Sequence, residues 1–285
     1  MALAMGFASG CSKESETVKI ATKPMAEQFI LGEMLGMLIE KNTNLKVEIT
    51  KGIGGGTGNI HPAIVAGEFD LYPEYTGTAW LYVLKETDHP GEEELLKRLK
   101  DEYQKRFDLR WVGFYGFNNT YTIALRSDLA KEKNIRTFSD LAAASPEITL
   151  GANYDFFERE DGFASLKNKY NMRFKKHMDM DIGLKYQAVE SGKVDSIVAF
   201  TTDGLLSVAD VTPLEDDKHL FPSYFCGTVA RRETLEKHPE LENVLLKMQN
   251  ILTNREMAAL NYEVEGKKRN ERDVAREFLI SKGLL

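Results

Sequence analysis

Four aromatic side chains stand where they could bind a cation. Tyr75 lies near the end of Gly67-Glu68-Phe69-Asp70-Leu71-Tyr72-Pro73-Glu74-Tyr75-Thr76-Gly77, and Phe200 holds the same place in Gly192-Lys193-Val194-Asp195-Ser196-Ile197-Val198-Ala199-Phe200-Thr201-Thr202. Tyr121 follows Asn118-Asn119-Thr120, and Tyr224 sits in Phe221-Pro222-Ser223-Tyr224-Phe225. A quaternary ammonium cannot donate hydrogen bonds, so aromatic faces are its natural partners, each desolvated contact contributing about 2 kcal/mol. Three or four such rings supply a large part of the ~8 kcal/mol of micromolar binding, before ordering costs. All four rings fall at expected strand ends or crossings, where α/β folds place ligand sites. They point to a cleft for a small organic cation.

Other chemistry has less to stand on. His61, His89, His177, His219 and His238 are scattered without metal-ligand spacing, and no GxSxG nucleophile turn is present. No catalytic residue, metal or cofactor is expected. The run Gly52-Ile53-Gly54-Gly55-Gly56-Thr57-Gly58 lacks the lysine of a phosphate loop. Two readings of it stay open: backbone N–H groups before a helix that take a ligand carboxylate, or a turn needing positive φ. Glu158-Arg159-Glu160-Asp161 is either a solvated helix start or the source of one ligand contact, Arg159. Cys226 is expected to be a buried or free thiol.

The elements that must position these residues repeat. Val18–Thr22 alternates like a strand, Ala26–Lys41 carries apolar residues at helical spacing, and Leu45–Ile49 alternates again. A helix over Asn59–Ala66, a strand at Phe69–Tyr72 and a helix over Thr78–Leu84 complete a β-α-β-α-β order, which implies parallel strands. After a charged helical stretch over 90–107 and a strand at Leu109–Phe114, the pattern returns. Ile148–Gly151 corresponds to Val18–Ala21, Asn171–Lys175 to Asn44–Glu48, and Lys185–Gly192 to the helix before the opening motif. Ala63, Gly67, Asp70 and Thr76 match Ala188, Gly192, Asp195 and Thr201. Units of this size suit a duplicated lobe better than a solenoid repeat. Asp70 and Asp195, at equivalent places, should share a structural role. The expected organisation is residues 1–17 as a signal remnant and linker, a discontinuous first lobe of 18–118 plus 222–285, and a second lobe of 119–221. Two crossings between the lobes make a hinge.

At 285 residues the chain can hold two cores, and its 42% hydrophobic and 28% charged residues are ordinary for a globular protein. A net charge of −7 without a basic stripe argues against nucleic acid. Ala8-Ser9-Gly10-Cys11, after an apolar stretch and before a polar one, resembles the end of a bacterial lipoprotein signal. It implies lipidation at Cys11 and an extracytoplasmic location, on the outer face of a bacterial membrane or in a periplasm.

Four stretches carry a wider resemblance: Glu27-Gln28-Phe29-Ile30-Leu31-Gly32-Glu33-Met34, Tyr72-Pro73-Glu74-Tyr75-Thr76-Gly77-Thr78, Gly116-Phe117-Asn118-Asn119-Thr120-Tyr121 and Ala199-Phe200-Thr201-Thr202-Asp203-Gly204. Together they resemble the substrate-binding proteins of osmoprotectant ABC importers, which take up glycine betaine, choline, carnitine and related quaternary amines. The resemblance implies a two-lobed type II periplasmic-binding-protein fold, each lobe a mainly parallel sheet flanked by helices, and an ABC permease as partner. It maps an aromatic cage onto Tyr75, Tyr121, Phe200 and Tyr224, with polar contacts from Gln28 and Thr78, and leaves the ligand's other end near Gln28, Thr57 and Arg159. Phe200 stands where some members have tyrosine. The block from Gly52 to Ala63 looks closest to a branch importing ergothioneine. The alternative is an enzyme or a ligand-sensing domain on the same scaffold.

Overall fold

The computed structural model describes residues 16–88 and 90–285, so Cys11, His89 and nearly all of the expected signal segment lie outside the described residues. In chain order, the first sheet receives β1 (Thr17–Ala21), β2 (Lys46–Thr50), β3 (Leu71–Tyr75) and β4 (Leu109–Asn118). The chain then crosses at Asn119-Thr120 into a second sheet of β5 (Tyr121–Arg126), β6 (Thr149–Ala152), β7 (Lys176–Asp179), β8 (Ser196–Phe200) and β9 (Val211–Pro213). It returns as β10 (Phe225–Arg231), which inserts between β3 and β4. The orders β2-β1-β3-β10-β4 and β7-β6-β8-β5-β9 are one pattern used twice. In each sheet four strands run in one direction, and the strand that enters from a crossing, β10 or β5, is antiparallel to both of its neighbours. The two-lobed α/β architecture expected from the sequence is the one observed.

Helices cover both faces of each sheet. Strand pleating sends Leu71 and Tyr75 toward a core shared with helix Ala26–Asn42 and the C-terminal helices, while Tyr72 joins Ile60, Trp80 and Leu99 on the opposite face. Ile123, Phe138 and Leu150 fill one core of the second lobe, and Val189, Val194 and Ile197 the other. Helix Ala26–Asn42 is buried nearly all round, with only Ala26, Phe29 and its last turn left out of the buried run. It lies between the sheet and helices Asn254–Glu265 and Glu271–Ser281. Its apolar spacing reads as one stripe, but the C-terminal helices cover a second side.

The duplication extends to single hydrogen bonds. Asp70 accepts the Lys19 N–H at 2.8 Å, and Asp195 accepts the Thr149 N–H at 2.8 Å. Gly67 and Gly192 carry φ of 84° and 69°, a conformation that glycine reaches without strain. Thr76 Oγ1 donates to the Ser223 carbonyl at 2.9 Å and accepts the Phe225 N–H at 3.0 Å. Thr201 Oγ1 donates to the Asn118 carbonyl at 3.0 Å and accepts the Thr120 N–H at 3.1 Å. Each threonine thus fastens one crossing segment to the end of a strand.

One expected strand is displaced. Asn171–Lys175 is irregular, and the counterpart of β2 begins at Lys176. Asn171, at φ 55°, ends the preceding helix. The Arg173 N–H then bonds the Ser145 hydroxyl, and the Lys175 N–H bonds the Ser145 and Ile148 carbonyls. These bonds hold the segment outside the ladder until Lys176. Asp70→Ala and Asp195→Ala should each destabilise the protein by about 1.5–3 kcal/mol, the cost of losing hydrogen bonds to a charged acceptor, read as a lower urea midpoint.

Candidate binding site

A cavity of about 760 Å³ lies between the lobes, and Tyr75, Tyr121, Phe200 and Tyr224 all line it. Tyr75 ends β3, Phe200 ends β8, Tyr121 begins β5 and Tyr224 immediately precedes β10. Ladder register explains their convergence. Tyr121 pairs with Phe200 across β5 and β8, and Tyr75 pairs with Cys226, two residues beyond Tyr224. The Tyr121 ring centroid lies 5.0 Å from that of Phe200 and 5.5 Å from that of Tyr224, the latter edge-on at 89°.

Two of the four rings, Tyr75 and Tyr224, are braced by polar groups. The Tyr75 hydroxyl donates to Glu27 Oε1 at 2.6 Å and accepts the Gln28 side-chain amide at 3.1 Å. Gln28 is itself fully buried behind Tyr75 and is not among the cavity-lining residues. The Tyr224 N–H donates to Asn118 Oδ1 at 2.6 Å, and the Tyr224 carbonyl accepts the Asn119 N–H at 3.0 Å. Its hydroxyl is buried without a hydrogen-bond partner among the described residues, while its ring lines the cavity. Gly77 packs under that ring, where an added Cβ would come within 2.6 Å of it.

A lysine covers a face of one ring in each lobe. Lys23 Nζ is 4.6 Å from the Tyr75 centroid and pairs with Glu74. Lys185 Nζ is 4.6 Å from the Phe200 centroid and pairs with Asp203 at 2.5 Å. Glu74 is fully buried and also accepts the Tyr75 N–H and the Thr57 hydroxyl, each at 2.7 Å. Thr57 and Thr78 both line the cavity, with Thr57 bonded away toward Glu74. Lys23, Glu27, Glu74 and Asn119 have no spacing pattern that marks them in the sequence. The one signal is Glu27, a charge in the first turn of a helix that is buried along most of its length.

The two open readings resolve differently. In the glycine run, Gly52, Gly55 and Gly56 take φ of 72°, 73° and 50°, so the turn requirement is real. The Gly56 and Gly58 N–H groups are used within the turn, on the Ile53 and Gly55 carbonyls. Arg159 is not solvated. It forks onto Asp161, with Nε 2.8 Å from Oδ1, lines the cavity, and holds its guanidinium carbon 5.0 Å from the Tyr82 ring of the other lobe. His61 belongs to the first lobe's interior, between Tyr103 and Phe107, where burial lowers its pKa. Cys226 is buried and free. Among the described residues no cluster of His, Cys, Asp or Glu is placed to hold a metal, and no helix is long and apolar enough to cross a membrane.

A smaller cavity of about 230 Å³ borders Phe200 as well, with Lys185, Asp203, Asn261 and Glu265 on its walls. Burial, then the Asp203 carboxylate, pushes the Glu265 pKa from 4.5 up to about 7. A raised carboxylate pKa favours folding below 4.5, and that contribution is lost as pH rises through about 7. Glu265→Gln should therefore be more stable than wild type at pH 8, by up to about 3 kcal/mol, and the gap should shrink toward pH 5 in urea titrations. Gly77→Ala should displace the buried Tyr224 ring, weakening ligand binding about tenfold by calorimetry and costing about 1–3 kcal/mol of stability.

Residues 16–281 match the family described as the substrate-binding domain of ABC-type glycine betaine transport systems. An ergothioneine transport permease/ergothioneine binding protein of Helicobacter pylori (strain G27) is 44% identical over 272 residues, covering 95% of this chain and 48% of that protein, so the chain spans about half of its length. A carnitine transport binding protein of Listeria monocytogenes is 36% identical over 281 residues, covering 96% and 91%. A crystal structure of a glycine betaine/carnitine/choline ABC transporter protein superposes with a TM-score of 0.76 at 32% identity, covering 94% of this chain and 99% of that one. The duplicated lobes, the cavity between them and these matches lead to one assignment: the chain belongs to the family of substrate-binding domains of ABC-type glycine betaine transport systems.

Proposed function

We propose that this protein captures a small zwitterion bearing a trimethylammonium group, closes its lobes around it and hands it unchanged to an ABC permease. The single observation that carries this reading is the convergence of four aromatic rings, from four separate chain segments, on one interlobe cavity. In this reading Tyr75, Tyr121, Phe200 and Tyr224 hold the cation. Arg159, Thr57 and Thr78, with the Tyr224 hydroxyl, face the polar end. Gln28 acts through Tyr75, whose hydroxyl it brackets.

Ergothioneine is the first candidate. The relative that is 44% identical is named for it, and a ligand the size of glycine betaine would leave most of a 760 Å³ cavity to water. Carnitine is the second, supported by the 36% identical relative. Cys11 would carry a lipid that anchors the protein at the outer face of the membrane, delivering ligand to the permease there. Among the described residues no cluster of His, Cys, Asp or Glu placed to hold a metal supports a catalytic role. The test is calorimetric titration with ergothioneine, carnitine, glycine betaine and choline. Tyr75→Ala and Phe200→Ala should each weaken binding by about 10- to 30-fold with an unchanged circular dichroism spectrum. Unchanged affinity in both variants would remove the cage, and conversion of the ligand on incubation would favour an enzyme.

A further inference from the structure

Behind the cage lies a buried carboxylate, without a cationic partner, that the functional reading leaves unused. Glu27 is 3% exposed at the start of helix Ala26–Asn42. Its Oε1 accepts the Tyr75 hydroxyl at 2.6 Å and the Asn119 amide at 2.8 Å. Its Oε2 accepts the Thr202 hydroxyl at 2.6 Å and the Asn261 amide at 3.0 Å. The donors come from the end of β3, the first crossing, the turn after β8 in the second lobe and helix Asn254–Glu265. One carboxylate therefore ties Tyr75, a cage wall of the first lobe, to the segment that follows Phe200, a cage wall of the second.

All four donors are neutral, and four donors on two oxygens suit the ionised form, which only accepts. Of the cations nearby, Lys23, after β1, pairs with Glu74 of β3, Lys185, in the second lobe, pairs with Asp203, and Lys268, on the wall of the smaller cavity, is exposed to solvent. The remaining titratable neighbours are Tyr75 itself, the Cys226 thiol of β10 and Glu265 of helix Asn254–Glu265. None supplies Glu27 with a positive partner. Burial raises its pKa, opposed in part by the four hydrogen bonds. An ion buried without a counter-ion is costly, and an opposite charge brought close offsets that cost.

Resting on the proposed function, we infer that Glu27 is a positioning residue of the binding site. Its carboxylate sets the cage walls of both lobes and is the counter-charge of a bound quaternary ammonium, so that binding favours the ionised form and, at a pH low enough for the free protein to hold Glu27 protonated, drives that proton to the solvent. The linkage sign follows. A cation in the cage favours ionised Glu27, so affinity is full above the pKa of Glu27 in the free protein and falls as pH drops through it, by up to about tenfold per pH unit.

The experiment is calorimetric titration of the whole chain and of Glu27→Gln with ergothioneine, carnitine and choline between pH 5 and pH 8. Each titration is run in two buffers of different ionisation enthalpy, which counts protons released. The expected result has three parts: a wild-type affinity that falls toward pH 5, proton release on binding in that range, and a Glu27→Gln variant that binds at least about tenfold more weakly at pH 8 and loses both the pH limb and the proton release. A variant that binds weakly but keeps the wild-type pH profile and proton count assigns Glu27 a purely structural role and overturns the inference. Unaltered affinity overturns it too. If the Glu27 variant does not fold, the proton count of Glu265→Gln decides: release that persists there supports the inference, and none overturns it. Failure of the wild type to bind any of the three probes removes the proposed function, and the inference with it. Wild-type binding without proton linkage removes the inference alone.

Discussion

Thr76 and Thr201 each stand one residue beyond a cage ring, and each closes the same two hydrogen bonds onto a segment that crosses between the lobes. A hydroxyl that both donates and accepts fixes two points of a crossing segment with one atom. Through these bonds the ends of β3 and β8 are held to the hinge, and the rings of Tyr75 and Phe200 are held with them. The other two rings, Tyr121 and Tyr224, lie on the crossing segments themselves. The four rings thus gather where the chain crosses between the lobes, a place from which both lobes could reach the proposed ligand. Each bond contributes only about 1 kcal/mol net, but the set determines where four rings point.

Much of this was legible in the sequence because duplication copies geometry. Gly67 and Gly192 recur because both turns need positive φ, and Asp70 and Asp195 recur because both cap the N–H of an adjacent strand. Thr76 and Thr201 recur for the hinge bonds just described. Residue types chosen by backbone constraints survive divergence of the side chains around them, so the two-lobed fold could be read from their spacing. The rings were legible for a related reason, since strand ends and crossings are few.

What escaped notice depends on partners distant in sequence. Glu27 has bonding partners at positions 75, 119, 202 and 261, and no local pattern announces such a set. For Arg159 the sequence left a solvated charge and a ligand contact both open, and only the packing against Asp161 and Tyr82 places it at the cavity. The strand expected at Asn171–Lys175 moved to Lys176 because Ser145, far upstream, captures the backbone of the connection. In each case a tertiary contact decided what a local reading could not.

The central claim is that the aromatic walls recognise positive charge rather than bulk. Size and shape alone would serve any trimethyl group, whereas the ring quadrupoles and the carboxylate behind Tyr75 act only on a cation. The most direct measurement compares the affinity of carnitine or ergothioneine, whichever binds tighter, with that of its uncharged analogue in which a tert-butyl group replaces the trimethylammonium. The account predicts a preference for the cation of at least about 30-fold, the worth of two or three modest cation–π contacts. Equal affinity for the two would contradict it.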